Sequence, residues 1–181
     1  MRALVVYESM YGNTHAVATS IAAGLEATHD VTLVPVTRAT PELVASAGLI
    51  VAGGPTHMHR MSTVVSRRMA AQSARMPGSE LKMDSDADGP GLRVWLSQLS
   101  GASALAASFD TRLGGMPALT GRASHGIARL LAKAGCVLLV PPESFLVDGE
   151  NLLVEGELTR ARSWGALVGE TERAVAVTAA R

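Results

Sequence analysis

Cysteine, aromatic residues and a surplus of either charge are all scarce in this chain of 181 residues. A single cysteine, Cys136, rules out an internal disulfide framework. Its place in the apolar run Cys136-Val137-Leu138-Leu139-Val140 marks it as a core residue of a strand. Aromatics make up 3% of the chain against 48% hydrophobic residues overall, so Val, Leu, Ala, Ile and Met must fill the interior. Sixteen basic residues balance sixteen acidic ones, which argues against a nucleic-acid partner or attraction to an anionic membrane. No apolar run approaches the ~20 residues of a membrane span. Met1-Arg2 leads straight into an apolar strand without the regions of a secretory signal. The length suits one domain with a sizeable core, and a cytoplasmic location is expected.

Familiar phosphate and catalytic signatures are missing too. There is no G-x-x-x-x-G-K-[ST] loop, no G-x-G-x-x-G after the first strand and no G-x-S-x-G elbow. Asp84-Ser85-Asp86-Ala87-Asp88-Gly89 begins like a calcium loop. However, Trp95 stands where a bidentate Glu is needed and Pro90 alters the turn, so a solvated acidic loop is expected and no metal is assigned.

What the chain does contain is alternation. Continuous apolar runs at Ala3–Tyr7, Val31–Val36, Leu49–Ala52, Ala104–Phe109 and Cys136–Val140 predict strands buried on both faces of a parallel sheet. Helical spacing lies between them. It is seen at Val17, Ile21 and Leu25, at Leu43, Val44 and Ala47, and at Met61, Val64, Val65 and Met69. It recurs at Leu92, Trp95, Leu96 and Leu99, at Ile127, Leu130, Leu131 and Ala134, and at Leu158, Ala161, Trp164 and Val168. The pattern predicts an open, doubly wound α/β domain over residues 1–174, with a polar loop at 77–91, an irregular insertion at 141–156 and a featureless tail at 175–181. Phe145-Leu146-Val147 and Leu152-Leu153-Val154 suggest a small hairpin appended to the last strand.

Such folds bind ligands beyond the carboxyl ends of the strands, where the strand order reverses. The segments falling there are Glu8–Thr14, Gly53–Met61 and Asp110–Pro117, all rich in Gly, Pro, Thr, Ser and His. The first is the most specific. Val5-Val6-Tyr7-Glu8-Ser9-Met10-Tyr11-Gly12-Asn13-Thr14 runs from strand through a short polar loop into a helix. Hydroxyls at Ser9 and Thr14, an amide at Asn13 and the backbone of Gly12 then lie at the positive end of that helix, the chemistry of a phosphate site. With no Lys or Arg in the loop, the phosphate is one held by neutral donors, as in a cofactor that stays bound.

Val5, Val6, Tyr7, Ser9, Gly12, Thr14, Ala18 and Ile21 occupy the places of the FMN-phosphate pattern of the flavodoxin family, which this loop resembles. Its Ser-Met-Tyr-Gly core is similar to the flavodoxin modules of flavodiiron proteins and to flavodoxin-like quinone reductases. Gly53-Gly54-Pro55-Thr56 resembles the family's second flavin loop, and Phe109-Asp110-Thr111-Arg112 its third. The resemblance implies a three-layer sandwich with a five-stranded parallel sheet in the order 2-1-3-4-5, helices on both faces, and bound FMN. Ser9, Met10, Tyr11, Gly12, Asn13 and Thr14 would hold the phosphate, while Pro55, Thr56, His57, Met58, His59, Arg60, Phe109, Asp110, Thr111, Arg112 and Gly115 would flank the ring.

The chain departs from electron-carrying flavodoxins in two respects. Those usually stack Trp or Tyr on the ring from the second and third loops; here the second loop offers His57-Met58-His59, which either cover a flavin face or sit solvated, and the third Phe109-Asp110. Many are also strongly acidic, whereas this chain is neutral and carries His57, His59, Arg60 and Arg112 in the predicted flavin loops. A cation about 4 Å from a partly exposed flavin favours its negative reduced form by about 1–4 kcal/mol. Three functions follow from these observations: an FMN redox module serving partner proteins, an FMN-dependent NAD(P)H:quinone-type reductase with a small-molecule acceptor, or a flavin-free binding domain on the same scaffold.

Overall fold

The structure, a computed structural model, describes residues 1–179, without the side chains of residues 178 and 179. Strands β1 (Arg2–Tyr7), β2 (Asp30–Pro35), β3 (Leu49–His57), β4 (Arg60–Met61), β5 (Leu105–Leu113), β6 (Val137–Leu138) and β7 (Glu143–Val147) alternate with helices. These are α1 (Asn13–Leu25), α2 (Pro41–Ser46), α3 (Val64–Ala74), α4 (Leu92–Gln98), α5 (Pro117–Thr120), α6 (Ala123–Lys133) and α7 (Glu157–Ala179). The sheet runs β2-β1-β3-β5-β6 with every neighbour parallel, which is the expected 2-1-3-4-5 order. Two further strands bring the total among the described residues to seven: β4 folds back on β3, and β7 pairs with β5 beyond β6. No helix among the described residues is long and apolar enough to cross a membrane.

Side chains alternate along the strands, so each sheet face buries its own core. Ala3, Val5, Tyr7, Leu49 and Val51 pack under α1 and α7. Leu4, Val6, Ile50 and Ala52 pack under α4 and α6. Phe109, Phe145 and Trp164 meet edge to face at centroid separations of 6.2–6.4 Å, putting three of the few aromatics in one cluster. Glycines let α1 and α7 come close: a Cβ at Gly24 would collide with the Arg162 carbonyl, and one at Gly165 with that of Ile21.

Four expectations change. First, β3 and β5 extend past their apolar runs, because Gly53, Gly54 and Pro55 stay in register with Phe109, Asp110 and Thr111. Backbone ladder bonds do not require apolar side chains, so hydropathy ends before the strand does. Second, the last strand is split. Leu139 still donates to the Ala106 carbonyl, but Pro141 and Pro142 have no N–H to continue the ladder, and pairing resumes at Glu143–Val147. Phe145–Val147 is therefore part of the sheet, and the expected hairpin forms at its end, where Val147 bridges Leu153 antiparallel and Val154 N donates to the Leu146 carbonyl at 3.0 Å. Third, Val64, Val65 and Met69 on α3 face solvent, while the inward side of that helix carries Ser66 and Arg67. Fourth, α7 continues into the expected tail as far as Ala179; residues 180 and 181 lie outside the described residues.

Gly53 shows why sequence and packing are inseparable at this sheet end: a Cβ there would fall inside the Phe109 ring. Gly53→Ala is expected to destabilise the fold by about 1–3 kcal/mol through overpacking. Urea denaturation measures this, and an unchanged midpoint would mean that the ring yields freely.

Candidate functional site

From β1 the chain runs to β2 on one side and then crosses back to β3 on the other, so β1 and β3 form the reversal point of the sheet. A groove of about 250 Å³ opens beyond their carboxyl ends. Met10, Tyr11, Asn13 and Thr14 form one wall, and Pro55, Thr56 and His57 the second. Thr111, Arg112 and Leu113 form the third. Val147, Asp148, Gly149 and Asn151, after β7, make a fourth wall that the sequence reading missed. The Asp148-Gly149 turn directly after an apolar run is the signal for it in the sequence.

The first loop is shaped by its own polar groups. Gly12 takes a left-handed backbone with φ +93°, and open space surrounds the position its Cβ would occupy. Its N–H donates to Ser9 Oγ at 3.0 Å, so the Ser9 hydroxyl lies beneath the turn, almost fully buried. Thr14 Oγ1 lies 2.7 Å from Thr111 Oγ1, joining the first and third walls, and Asn13 Nδ2 donates to the Asn151 carbonyl at 2.7 Å, joining the first and fourth. Among the described residues, the main-chain N–H groups of Met10, Tyr11, Asn13 and Thr14 donate to no acceptor within the chain. They form a run of unused donors at the N-terminus of a 13-residue helix, suited to an anionic group.

Glu8, the acidic neighbour of this loop, is turned away from the groove. Its buried carboxylate accepts from Ser62 Oγ at 2.5 Å and Leu92 N at 2.7 Å, and lies 3.5 Å from Arg67 Nε. Its charge is thus matched locally and does not oppose an anion in the loop. The polar loop 77–91 covers the far side: Asp84 N donates to the Met10 carbonyl at 2.8 Å, and the Asp84 carboxylate lies 3.5 Å from His15, which stacks on Tyr7. Burial, then the Asp86 and Asp84 carboxylates, push the Tyr7 phenol up to about 12.

Several expected site residues lie elsewhere. Phe109 is buried in the aromatic cluster and Asp110 is sealed in the interior, where its Oδ2 accepts from Ser124 N at 2.7 Å. Burial raises the Asp110 carboxyl above its ordinary value. Strand alternation explains both, since Thr111 points to the groove side only after β5 has extended. Met58, His59 and Arg60 sit on an exposed turn outside the groove, with left-handed backbone at Met58 and His59. Gly115 is exposed and lends its carbonyl to Arg112. Thr56 lines the groove, but its hydroxyl accepts from Ala123 N at 2.8 Å at the start of α6. Arg112 neither faces solvent nor pairs with Asp110: its Nη1 donates to the Leu113 and Gly115 carbonyls and to Thr120 Oγ1. Among the described residues it is the one cation lining the groove.

No family model matches the chain, and no curated protein matches it in sequence. Solved structures do. A flavodoxin from the domain Archaea superposes with a TM-score of 0.63 at 20% identity, covering 96% of this chain and 99% of that one. The fold is flavodoxin-like. A WrbA-like flavodoxin from Agrobacterium tumefaciens matches with a TM-score of 0.58 at 20% identity, over 95% of this chain and 97% of that one. The flavodiiron protein from Giardia intestinalis matches with a TM-score of 0.60 at 19% identity over 96% of this chain, but only 36% of that protein. At these identities the likeness extends to the flavodoxin-like scaffold.

His57 changes the electrostatics expected of the groove. Burial is the main cause that pushes its imidazole below the usual 6.5, with Arg67 adding to the shift and Glu8 opposing it. The ring is therefore neutral at pH 7, hydrogen-bonded to Ser66 Oγ at 3.1 Å. Because the folded protein disfavours the charged ring, His57 contributes its full stability above pH 6.5, and that contribution is lost as pH falls toward the lowered value. Titrating the imidazole carbon proton by NMR is expected to give a midpoint below 6.5 that returns toward 6.5 on unfolding; a folded value at or above 6.5 would contradict the burial.

Proposed function

We propose that this chain binds FMN non-covalently and transfers electrons through it. The observation that carries this reading is the set of unused amides from Met10 to Thr14, at the mouth of a groove between strand ends. Those donors would hold the phosphate, with Gly12 allowing close approach and Ser9 keeping the turn in shape. Pro55–His57 and Thr111–Leu113 would flank the ring, and Val147–Asn151 would close the outer side. Bound FMN supplies one- and two-electron redox chemistry, tuned by the protein groups around it. Two of the expected ring-flanking residues would tune it: His57 would contribute a neutral ring, and Arg112 the positive charge.

Arg112 also favours a second reading, an FMN-dependent NAD(P)H:quinone-type reductase. A fixed guanidinium at the groove edge offsets the negative charge that a flavin gains on reduction. Leu113, Met116 and Leu119 are exposed on the same third-wall segment, an apolar rim that a quinone or a redox partner protein would meet. Turnover of a quinone with NAD(P)H separates the reductase from a module that works only with partner proteins.

Titrating the protein with FMN and following the quenching of flavin fluorescence tests the common basis. One equivalent is expected to bind, and no quenching after reconstitution would refute both redox readings in favour of a flavin-free domain. Ser9→Ala, which releases the Gly12 N–H from its turn, and Thr14→Val, which unties the first wall from the third, should each weaken binding roughly tenfold. Unchanged affinity in both would displace the phosphate from this loop.

A further inference from the structure

The zero net charge of the chain conceals a division. Residues 43–79 contain four arginines and no acid, and residues 89–142 contain five basic residues against Asp110 alone. These segments meet at a second cleft of about 350 Å³ between β4, α4 and α6. Arg60, Arg93, Arg122 and Arg129 all line it, together with His125, and no acid does. Among the described residues none of the four makes an ion pair.

The cleft is built in detail. Arg93 is held from behind, donating from Nε to the Ser62 carbonyl at 3.1 Å and from Nη2 to the Met61 carbonyl at 2.9 Å. Its remaining donors stay free. His125 and Arg129, four residues apart, share one face of α6, and Arg122, the extended residue just before the helix, lies beside them with its Nη1 3.4 Å from His125 Nε2. Gly126 keeps that face open, since a Cβ there would press on the Met61 side chain at 3.1 Å. The N-terminus of α6 contributes little, because its first amides already donate to Thr56 and Asp110. Recognition would come from guanidinium side chains.

We propose that this cleft binds the phosphate group of a small phosphorylated ligand, a phosphate monoester or a diphosphate. Four arginines and no lysine supply planar forks that match phosphate oxygens two at a time. Unpaired guanidiniums gathered in one concavity repel one another, and a dianion relieves that repulsion. The concave shape favours a small ligand over the flat acidic face of a protein. The site lies across the Met58–His59 turn from the groove, since Arg60 pairs with His57 in the β3–β4 ladder, and it does not depend on the flavin reading.

Isothermal titration of the full chain, saturated with FMN, against pyrophosphate and against AMP tests the site, with sulfate as the control for charge alone. Saturable one-to-one pyrophosphate binding is expected, tighter than that of sulfate. Arg122→Gln and Arg129→Gln are expected to raise Kd about tenfold each. Both residues are exposed, so the fold is kept, and Arg75→Gln with Arg173→Gln on other exposed surfaces should leave Kd unchanged. AMP binding as tightly as pyrophosphate identifies a nucleotide source, and a preference for pyrophosphate a free diphosphate. Equal weakening in both variant pairs, no discrimination from sulfate, or tighter binding of a poly-glutamate peptide would each overturn the proposal. So would loss of binding in Ser9→Ala/Thr14→Val with the cleft variants unaffected, which places the anion in the first loop. If the protein takes up no FMN, the same titration on the flavin-free chain, with Ser9→Ala/Thr14→Val set beside the cleft variants, tells the cleft from the first loop.

Discussion

Much of the groove end of this molecule is organised around one buried carboxylate. Glu8 is the first residue after β1, and its own N–H donates to the Gly53 carbonyl, continuing the ladder onto β3. Its side chain then holds the start of α4 through Leu92 N, the end of β4 through Ser62, and α3 through Arg67. A buried charge is stable only when paired and hydrogen-bonded. These partners satisfy it, and in doing so they hold four elements in position around the first loop. The loop's free amides depend on that frame, because the turn has no regular ladder of its own.

Close packing supplies a second constraint. Gly53 lets the Phe109 ring fill the space under β3, and this keeps Phe109 in the core with Phe145 and Trp164. With Phe109 committed inward, the groove receives Thr111 and Arg112 from the extended end of β5. The proline pair at 141–142 interrupts the last strand, and pairing resumes at β7, whose far end delivers Asp148 and Asn151 to the groove. β7 is an edge strand, and its Leu146 N–H is covered by the Glu157 carboxylate at 2.7 Å. Arg160 binds that carboxylate and lies over the Phe145 ring, fastening the edge to α7. A fold with few aromatics thus spends three of them where backbone elements must be fixed, and lines the groove with a mixture of polar side chains and Met10, Tyr11, Leu113 and Val147.

The flavodoxin-like scaffold here carries an unusual division of charge. Acids gather at the two ends of the chain and in the 80–88 loop, while the middle is nearly free of them. Within the groove the positive charge is concentrated at Arg112, because burial keeps His57 neutral. Outside it, the arginines of β4, α4 and α6 converge on the second cleft. A neutral total therefore describes neither surface, and the field at each depends on which segments the fold brings together.

The strand order came from the resemblance to the flavodoxin family, whereas the alternation of strands and helices, the two covered faces and the polar first loop were legible in the sequence itself. Each rests on local periodicity or on a short run of adjacent residues: apolar runs such as Val5-Val6, helical spacing such as Ile127, Leu130 and Leu131, and the Ser9–Thr14 turn. The sequence could not decide which face a residue near a strand end would take. Phe109 and Asp110 turned inward because Gly53 and Ser124 provide partners far along the chain. The outward stripe of α3, the fourth wall at Val147–Asn151 and the arginine cleft share this dependence on distant partners. By itself the sequence determined the scaffold and the chemistry of its first loop, since both are encoded between near neighbours. Tertiary structure alone decided which side chains reach the groove and where the charges gather, because burial and long-range contact set those outcomes.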